Sequence, residues 1–272
     1  MAEHGLSVSR ATAAVKLSRS AYYRKPQVNE ELRQQRDQRV IDALNEVVEK
    51  CPRWGFWKCY DRLRLDGHRW NHKRVWRVYC EMKLNLPRRA KRKLPQRERQ
   101  SLDVIPLPNQ VWSMDFMSDA LYAGRRFRTL NILDEGVREL LTIVVDTSIA
   151  SGRVIREMGK LVELRGKPAA IRCDNGPEFC AQAFVDWCEE HGIEIRYIQH
   201  GKPNQNAFIE RFNKSYRDEV LNAHLFATLA QVREVTEEWK TTYNEYGPHD
   251  ALGRIPPAMY MRNLKLENSS YE

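Results

Sequence analysis

The sequence predicts an α/β protein: a mixed sheet flanked by helices, preceded by a small all-α region of helix-turn-helix type. Two observations indicate this class. After residue 109, strand-like runs come first and then alternate with helical runs. Before it, the patterns are helical and basic, because residues 1–100 carry 25 Lys and Arg against 11 Asp and Glu, whereas residues 101–272 carry 20 against 25. This segregation is typical of a polyanion-binding region joined to a second region with another role.

We expect four parts along the chain. They are a short helical segment with a possible helix-turn-helix (1–29), a helix-turn-helix-like DNA-binding domain (30–82), a basic linker (83–105) and an α/β core with a helical tail (106–272). Residues 7–24 fit two short helices, for which a plain helical hairpin is an equal alternative to a helix-turn-helix. Residues 30–50 fit an amphipathic helix that Pro52 ends.

The stronger helix-turn-helix pattern follows Pro52. We expect helices near 55–66 and 71–82, with a turn at Asp66-Gly67 and Asn71 as the N-cap of the second helix. Arg74 and Arg77 share one face of that helix, where a recognition helix contacts DNA. A set of aromatic residues is interpreted as a small core rather than as base-stacking groups: Trp54, Trp57, Tyr60, Trp70 and Trp76.

The linker is basic and lacks hydrophobic periodicity. Residues 83–100 contain eight Lys and Arg, one acid and two prolines. A solvated spacer is the alternative, but contact with a phosphate backbone is favoured because the run follows a DNA-binding candidate. The residues expected to make this contact are Arg88, Arg89, Lys91, Arg92 and Lys93.

The core pattern begins with three strands and continues with alternating helices and strands. Strands are expected at 110–119, 126–135, 139–148, 167–174 and 193–199, and helices at 150–166, 177–192, 204–222 and 229–246. This order predicts a mixed sheet with helices on both faces.

Cysteine spacing and hydropathy argue against two other classes of protein. The six cysteines show no CxxC pair, and Cys173, Cys180 and Cys188 are too loosely spaced for a usual zinc site, so reduced thiols are expected. No apolar run approaches the 18 residues that indicate a membrane span, so we expect no membrane partner and a cytoplasmic location.

Three acids lie at the ends or within the runs of core elements. Asp115 interrupts an apolar strand, Asp174 ends a later strand before a turn, and Glu210 lies on a helix that can pack against the sheet. Each alone could be a cap, a turn residue or an ion-pair partner. Together in one crevice they would repel one another unless cations bind, and hard divalent ions prefer such oxygen ligands. Two ions about 3.5–4 Å apart suit in-line attack at phosphorus.

The spacing and surroundings of these acids resemble a known family. Thirty-five residues separate Asp174 from Glu210, and the acids occur within WSMDF (112–116), CDNGPEF (173–179) and HGKPNQNAFIERFNKSYRDEVL (200–221). These motifs resemble the Asp-Asp-35-Glu transposases and retroviral integrases. The resemblance is most specific to the transposase encoded by the second reading frame (OrfB) of the insertion-sequence-three family, and it covers about residues 30–260.

The resemblance implies a ribonuclease-H-like core that cleaves the DNA ends of an insertion sequence and transfers the strands. It implies that Asp115, Asp174 and Glu210 are both catalytic residues and ligands of two Mg²⁺ or Mn²⁺ ions. The family has Lys or Arg seven residues after the glutamate, which is Arg217 here and is implicated in DNA binding. Further DNA contacts are expected from Lys214, and from Lys202 and Asn206, for which a role only in the entry to the helix is an equal alternative.

The resemblance also sets expectations for partners and leaves two alternatives open. The substrate would be double-stranded DNA at the element ends and at the target, in a bacterial cytoplasm at the nucleoid. Because two ends must be paired, we expect a homo-oligomer on DNA, and the upstream reading-frame product is a candidate partner or fusion segment. One alternative is a nuclease of the same fold that hydrolyses without joining. The other is a DNA-binding regulator of transposition without catalysis.

Overall fold

Helices precede the first strand in the computed structural model, whose described residues are 7–23, 30–87, 105–199 and 206–269. They are Val8–Ala14 (α1), Arg19–Tyr23 (α2), Glu30–Lys50 (α3), Phe56–Leu65 (α4) and His72–Glu81 (α5). The bounds agree with the helices expected from the sequence to within a few residues. The chain divides into two compact units, Met1–Ala43 and Leu44–Glu272, with the boundary inside α3.

The pair α4 and α5 follows the pattern of the second helix-turn-helix candidate. Asn71 caps α5, because its side-chain oxygen accepts a hydrogen bond from the backbone N–H of Lys73 at 2.8 Å. The apolar side chains that face inward include Leu63 and Val75, both buried. The structure therefore confirms the two helices expected here.

The aromatic residues near α4 and α5 divide between core and surface. Trp54 is buried, but Trp57 and Trp76 are 54% and 43% exposed. The expectation that the whole set forms a core is therefore wrong for these two. Each packs an edge against Phe56, with ring centroids 5.1 Å and 4.8 Å away, and this contact covers only part of each large ring.

One mixed sheet of five strands organises the described part of the core. The strands are Val111–Ala120 (β1), Arg126–Asp134 (β2), Leu140–Asp146 (β3), Ala170–Cys173 (β4) and Glu194–Tyr197 (β5). Their order is β3-β2-β1-β4-β5. Pairs β1–β2 and β2–β3 are antiparallel, whereas β1–β4 and β4–β5 are parallel. The mixed sheet predicted from the sequence is confirmed.

Helices cover both faces of the sheet and bury an apolar layer on each. On one face lie Ser151–Arg165 (α6), Pro177–Cys180 (α7) and Gln182–Glu190 (α8), over a layer that includes Trp112 and Ile171. On the other face lie Ala207–Tyr216 (α9) and Leu229–Thr241 (α10), over a layer that includes Leu133. The helix Pro257–Ser269 (α11) forms the tail. No helix in the described ranges is long and apolar enough to span a membrane.

The helix expected at 177–192 is wrong as a single element, because Ala181 has extended backbone and separates α7 from α8. Phe179 and Phe184 are both fully buried in the same layer. Five residues apart on one helix, they would point about 140° away from each other. The break brings both rings into the core.

Two other expected helices change their winding before they end. The helix expected at 204–222 ends its α-helical part at Tyr216 and continues as a π-helical turn, Arg217–Leu221. The helix expected at 229–246 likewise passes into the π-helical turn Thr242–Tyr246. Single π-helical turns within helices are frequent near functional sites.

Candidate active site

Sheet register brings the first two acids of the sequence motif to the same edge. Ser113 of β1 pairs with Arg172 of the parallel strand β4. Two residues further along the chain, Asp115 lies within β1 and Asp174 is the first residue after β4. Because neighbouring strands lie about 4.8 Å apart, the two backbones pass side by side at this point.

Two amide groups fix the carboxylate of Asp115. Its Oδ1 accepts a hydrogen bond from the backbone N–H of Phe116 at 2.8 Å, and its Oδ2 accepts one from Asn213 Nδ2 at 2.6 Å. Asn213 Oδ1 in turn accepts a hydrogen bond from Asn131 Nδ2 at 2.6 Å. This chain of amides links β2, α9 and β1, and it sets the position of α9 relative to Asp115.

A tight turn holds Asp174. The backbone N–H of Gly176 donates to Asp174 Oδ1 at 3.0 Å. A Cβ at position 176 would lie 2.9 Å from that same oxygen, so only glycine fits without moving the carboxylate. Asn175 Nδ2 donates to the carbonyl of Ile198 at 3.1 Å and ties the turn to the end of β5.

Glu210 lies in the first turn of α9, one helical turn before Asn213. Ile209 and Phe212 bury the opposite side of this helix in the core. The side chain of Glu210 is exposed, and it has no hydrogen-bond or ion-pair partner within the part of the chain that the structure describes. Helix α9 therefore carries Glu210 and, through Asn213, positions Asp115.

The three acids share one electrostatic environment. Burial raises the pKa of Asp115 to about 6, the hydrogen bonds from Phe116 and Asn213 oppose the rise, and the negative charges of Asp174 and Glu210 add to it. Repulsion of this kind is what a bound divalent cation relieves, and carboxylate oxygens are the donors that Mg²⁺ and Mn²⁺ prefer. The carboxylate oxygens of these three acids are therefore suitable ligands for such an ion.

The three acids do not form a closed metal-binding site in this structure. Among residues 7–23, 30–87, 105–199 and 206–269, no group of three or more His, Cys, Asp or Glu side chains converges closely enough to hold a metal ion. Asp115 is fixed by its amides, whereas Asp174 and Glu210 are exposed. Closure around an ion therefore requires these two exposed side chains to move toward Asp115.

An ion pair that sequence reasoning missed lies beside Asp174. Arg128 of β2 forms an ion pair with Glu178 of α7, and its guanidinium lies 4.2 Å from the centre of the Phe116 ring. Burial raises the pKa of Glu178, but the hydrogen bond and charge of Arg128 outweigh it and hold the pKa below its ordinary value. The carboxylate of Glu178 is therefore paired with Arg128, next to the turn that holds Asp174.

The residues expected to contact DNA lie in different settings. Arg217 donates to Asp119 Oδ2 at 3.1 Å and to the carbonyl of Ser118 at 3.0 Å, so it is tied to β1. Lys214 is exposed, and Asn206 is buried at the start of α9. Arg77 forms an ion pair with Glu81 at 3.0 Å, and Arg74 is half-buried on the same helix. The others lie outside the described residues: Arg88, Arg89, Lys91, Arg92, Lys93 and Lys202.

Comparisons with known proteins agree with this fold. Family models of the integrase core domain match residues 106–203 and 191–257, and a model of an HTH-like domain matches residues 35–92. The insertion element IS476 uncharacterized 39.2 kDa protein of Xanthomonas euvesicatoria is 41% identical over 271 residues, which are 99% of this chain and 77% of the relative. Transposase InsD for insertion element IS2A/D/F/H/I/K of Escherichia coli is 27% identical over 83% of this chain and 79% of its own length.

One solved structure supports the fold alone. A chain in the cryo-EM structure of the simian T-cell lymphotropic virus intasome in complex with PP2A regulatory subunit B56 gamma aligns with a TM-score of 0.52 and 17% identity. The alignment covers 73% of this chain and 69% of that chain.

Proposed function

The chain belongs to the integrase-core proteins of insertion elements, and on that premise we propose that it is a transposase that cleaves the DNA ends of its element and joins them to a target. The observation that carries the proposal is that Asp174, after β4, and Glu210, on α9, lie close enough to Asp115 of β1 for their negative charges to raise its pKa. Anionic oxygens can hold metal ions, and metal ions can catalyse phosphodiester cleavage without a nucleophilic side chain.

In this proposal the three acids hold divalent ions, Mg²⁺ or Mn²⁺. When bound, such ions activate the attacking water or hydroxyl and stabilise the leaving oxygen of the phosphodiester. The protein's contribution is to orient the ligands. Asn213 and the N–H of Phe116 fix the two oxygens of Asp115, and the N–H of Gly176 holds one oxygen of Asp174 in the metal-free protein, before this side chain moves toward Asp115. Glu210 approaches from the exposed first turn of α9.

DNA binding would draw on both regions of the chain. We assign the recognition role to α5, where Arg74 and Arg77 lie, and the phosphate-tracking role to the linker. Lys214 and Arg217 follow Glu210 by four and seven residues and would bind the strand near the acids. The assembly on DNA would contain at least two copies of the chain, because two element ends must meet.

Cleavage and joining of labelled DNA test this function. A supercoiled plasmid that carries the ends of the encoding element is incubated with the protein and Mg²⁺, and the products are separated by length. Glu210→Gln keeps the size of the side chain but removes its charge, so we expect cleavage and joining to fall at least a thousandfold. Glu234→Gln, an exposed acid on α10, is the matched control and should act like the wild type.

The products also separate the two alternatives. Joined strands support the transposase, whereas shortened strands alone identify a nuclease that only hydrolyses. DNA binding without any metal-dependent nick identifies a regulator. Full activity in Glu210→Gln would contradict the assignment of this acid.

A further inference from the structure

A cavity lies on the other side of α9 from the three acids. It occupies about 520 Å³ between α4 and α9, and we name it the α4–α9 cleft. Phe208, Arg211 and Ser215 of α9 form one wall, and Trp57 and Lys58 of α4 form part of the opposite wall. Successive residues on a helix differ by about 100° in direction, so Arg211 faces this cleft while Glu210 faces the sheet edge.

Two polar atoms of residues that line the cleft lie buried behind its surface and lack partners among the described residues. Arg138 Nη1 and His249 Nε2 are both buried and have no hydrogen-bond partner in the described chain. Buried polar groups of this kind cost free energy unless a ligand or water satisfies them. The guanidinium of Arg138 lies 3.7 Å from the centre of the Phe208 ring, which holds it at the wall.

The charges left over in the cleft favour an anion. Two of its acids are already paired. Asp61 lies 3.3 Å from Arg254, and Glu219 lies 3.6 Å from Lys58 and accepts a hydrogen bond from the indole of Trp239 at 2.8 Å.

Arg211 is different, because it is exposed and its guanidinium makes no ion pair or hydrogen bond with any residue that the structure describes. Arg138 adds a second positive charge, which Glu135 and Asp134 partly offset from outside the cleft, and one acid of the cleft remains, Asp250. An anionic ligand would therefore gain from both guanidinium groups.

The mouth of the cleft carries an aromatic surface. Trp57 lines the cleft and is 54% exposed, although burial of its ring would be worth more than that of any smaller side chain. An exposed aromatic ring beside cationic groups is the combination that binds unpaired nucleotides, with the base on the ring and the phosphate at the cations. The cavity volume suits one or two nucleotides and excludes a duplex.

We propose that the α4–α9 cleft binds an unpaired nucleotide of the DNA substrate, with its base against Trp57 and its phosphate at Arg211 and Arg138. The inference rests on the proposed function, because it takes DNA as the ligand. It adds a place where a strand that has left the duplex is held one helix face away from the acids. The helix α9 would then present the reacting strand on one side and the separated nucleotide on the other.

Fluorescence anisotropy in EDTA tests the cleft without any cleavage. Two labelled DNAs are compared, a blunt duplex and the same duplex with a five-nucleotide 3′ tail. Arg211→Gln and Trp57→Ala should each weaken binding of the tailed DNA about tenfold and binding of the blunt DNA less than twofold. Trp57→Tyr, which keeps an aromatic ring, should stay near the wild type. Arg211→Gln should also lower the slope of log affinity against log salt by about one for the tailed DNA.

Matched controls remove the same kinds of group elsewhere. Arg156→Gln takes one exposed arginine from α6, and Tyr122→Ala takes an 80% exposed aromatic residue from the loop after β1. Both should bind the two DNAs like the wild type. Equal losses on tailed and blunt DNA, or no loss on either, would overturn the cleft proposal and leave the transposase standing. Failure of the wild type to bind either DNA would overturn both.

Discussion

Asp115 connects the chemistry of the site to the stability of the protein. Its pKa rises from an ordinary value of 3.8 to about 6, with burial as the largest cause. A carboxyl with a raised pKa is most favourable to the fold when protonated. Its contribution to stability is therefore complete below about pH 4 and is lost as the pH rises through 6. Replacing this side chain by a neutral one should therefore stabilise the folded protein most at high pH.

We predict that Asp115→Asn changes the pH dependence of unfolding in metal-free buffer. Between pH 5 and pH 8 the free energy of unfolding of the variant should gain about 1–2 kcal/mol relative to the wild type, because the variant has no charge to bury. Denaturant titration at each pH measures the difference. Asp186→Asn, an exposed acid on α8, is the control. The same difference at all pH values would contradict the shifted pKa.

Among the structural elements, the turn after β4 requires a glycine at position 176, because a Cβ there would approach Asp174 too closely. Gly176 has φ −62° and ψ 147°, which any residue can adopt. Substitution of Gly176 therefore causes no backbone strain. Its effect comes from the new Cβ, which would lie 2.9 Å from Asp174 Oδ1.

We predict that Gly176→Ala lowers strand cleavage at least tenfold, since it displaces the carboxylate of Asp174, while the melting temperature changes by only a few degrees. Gly159→Ala, in the middle of α6, is the matched control, because its Cβ would meet no atom within 4 Å and its helix should become about 0.5–1 kcal/mol more stable. Cleavage rates and melting curves of both variants give the result. Normal cleavage in Gly176→Ala would show that the position of Asp174 does not matter.

Local patterns predict the elements better than they predict their interruptions. Alternation and helical spacing are properties of neighbouring residues, so the five strands and the pair α4–α5 could be read from the sequence. The break at Ala181 could not, because it depends on Phe179 and Phe184 sharing one core layer. The resemblance of the motifs supplied the three acids.

The residues that support those acids have weaker signals. Asn213 lies one turn after Glu210, and that spacing could have marked it as facing the same crevice. Asn131 and Arg128 lie in an apolar strand, and their partners are Asn213 and Glu178, 82 and 50 residues away. Such contacts follow from the pairing of strands and helices and leave no local pattern.

At the scale of the whole molecule, the helix-turn-helix-like pair is packed against the core within the unit Leu44–Glu272. The ring of Trp54 stacks on Tyr246 with centroids 5.6 Å apart. Arg62 of α4 donates to the carbonyl of Tyr246 at 3.2 Å, and its guanidinium lies 4.4 Å from the centre of the same ring. These contacts should make α4, α5 and the sheet unfold together.

We predict that Tyr246→Ala destabilises this whole unit by about 2–4 kcal/mol, because it removes the aromatic surface against which Trp54 and Arg62 pack. Hydrogen exchange should rise in α4 and in β1 by the same factor. Tyr122→Ala, at an 80% exposed site, should have almost no effect. Loss of protection in α4 and α5 alone, with an unchanged sheet, would show that the two parts are independent.

In the proposed function, three acids from β1, the turn after β4 and α9 close around divalent ions. Electron paramagnetic resonance of Mn²⁺ titrated into the protein measures this binding directly, since free and bound Mn²⁺ give different signals. We expect bound Mn²⁺ in the wild type and a loss of affinity of at least tenfold in each of Asp115→Asn, Asp174→Asn and Glu210→Gln. Unchanged Mn²⁺ affinity in all three variants would contradict it.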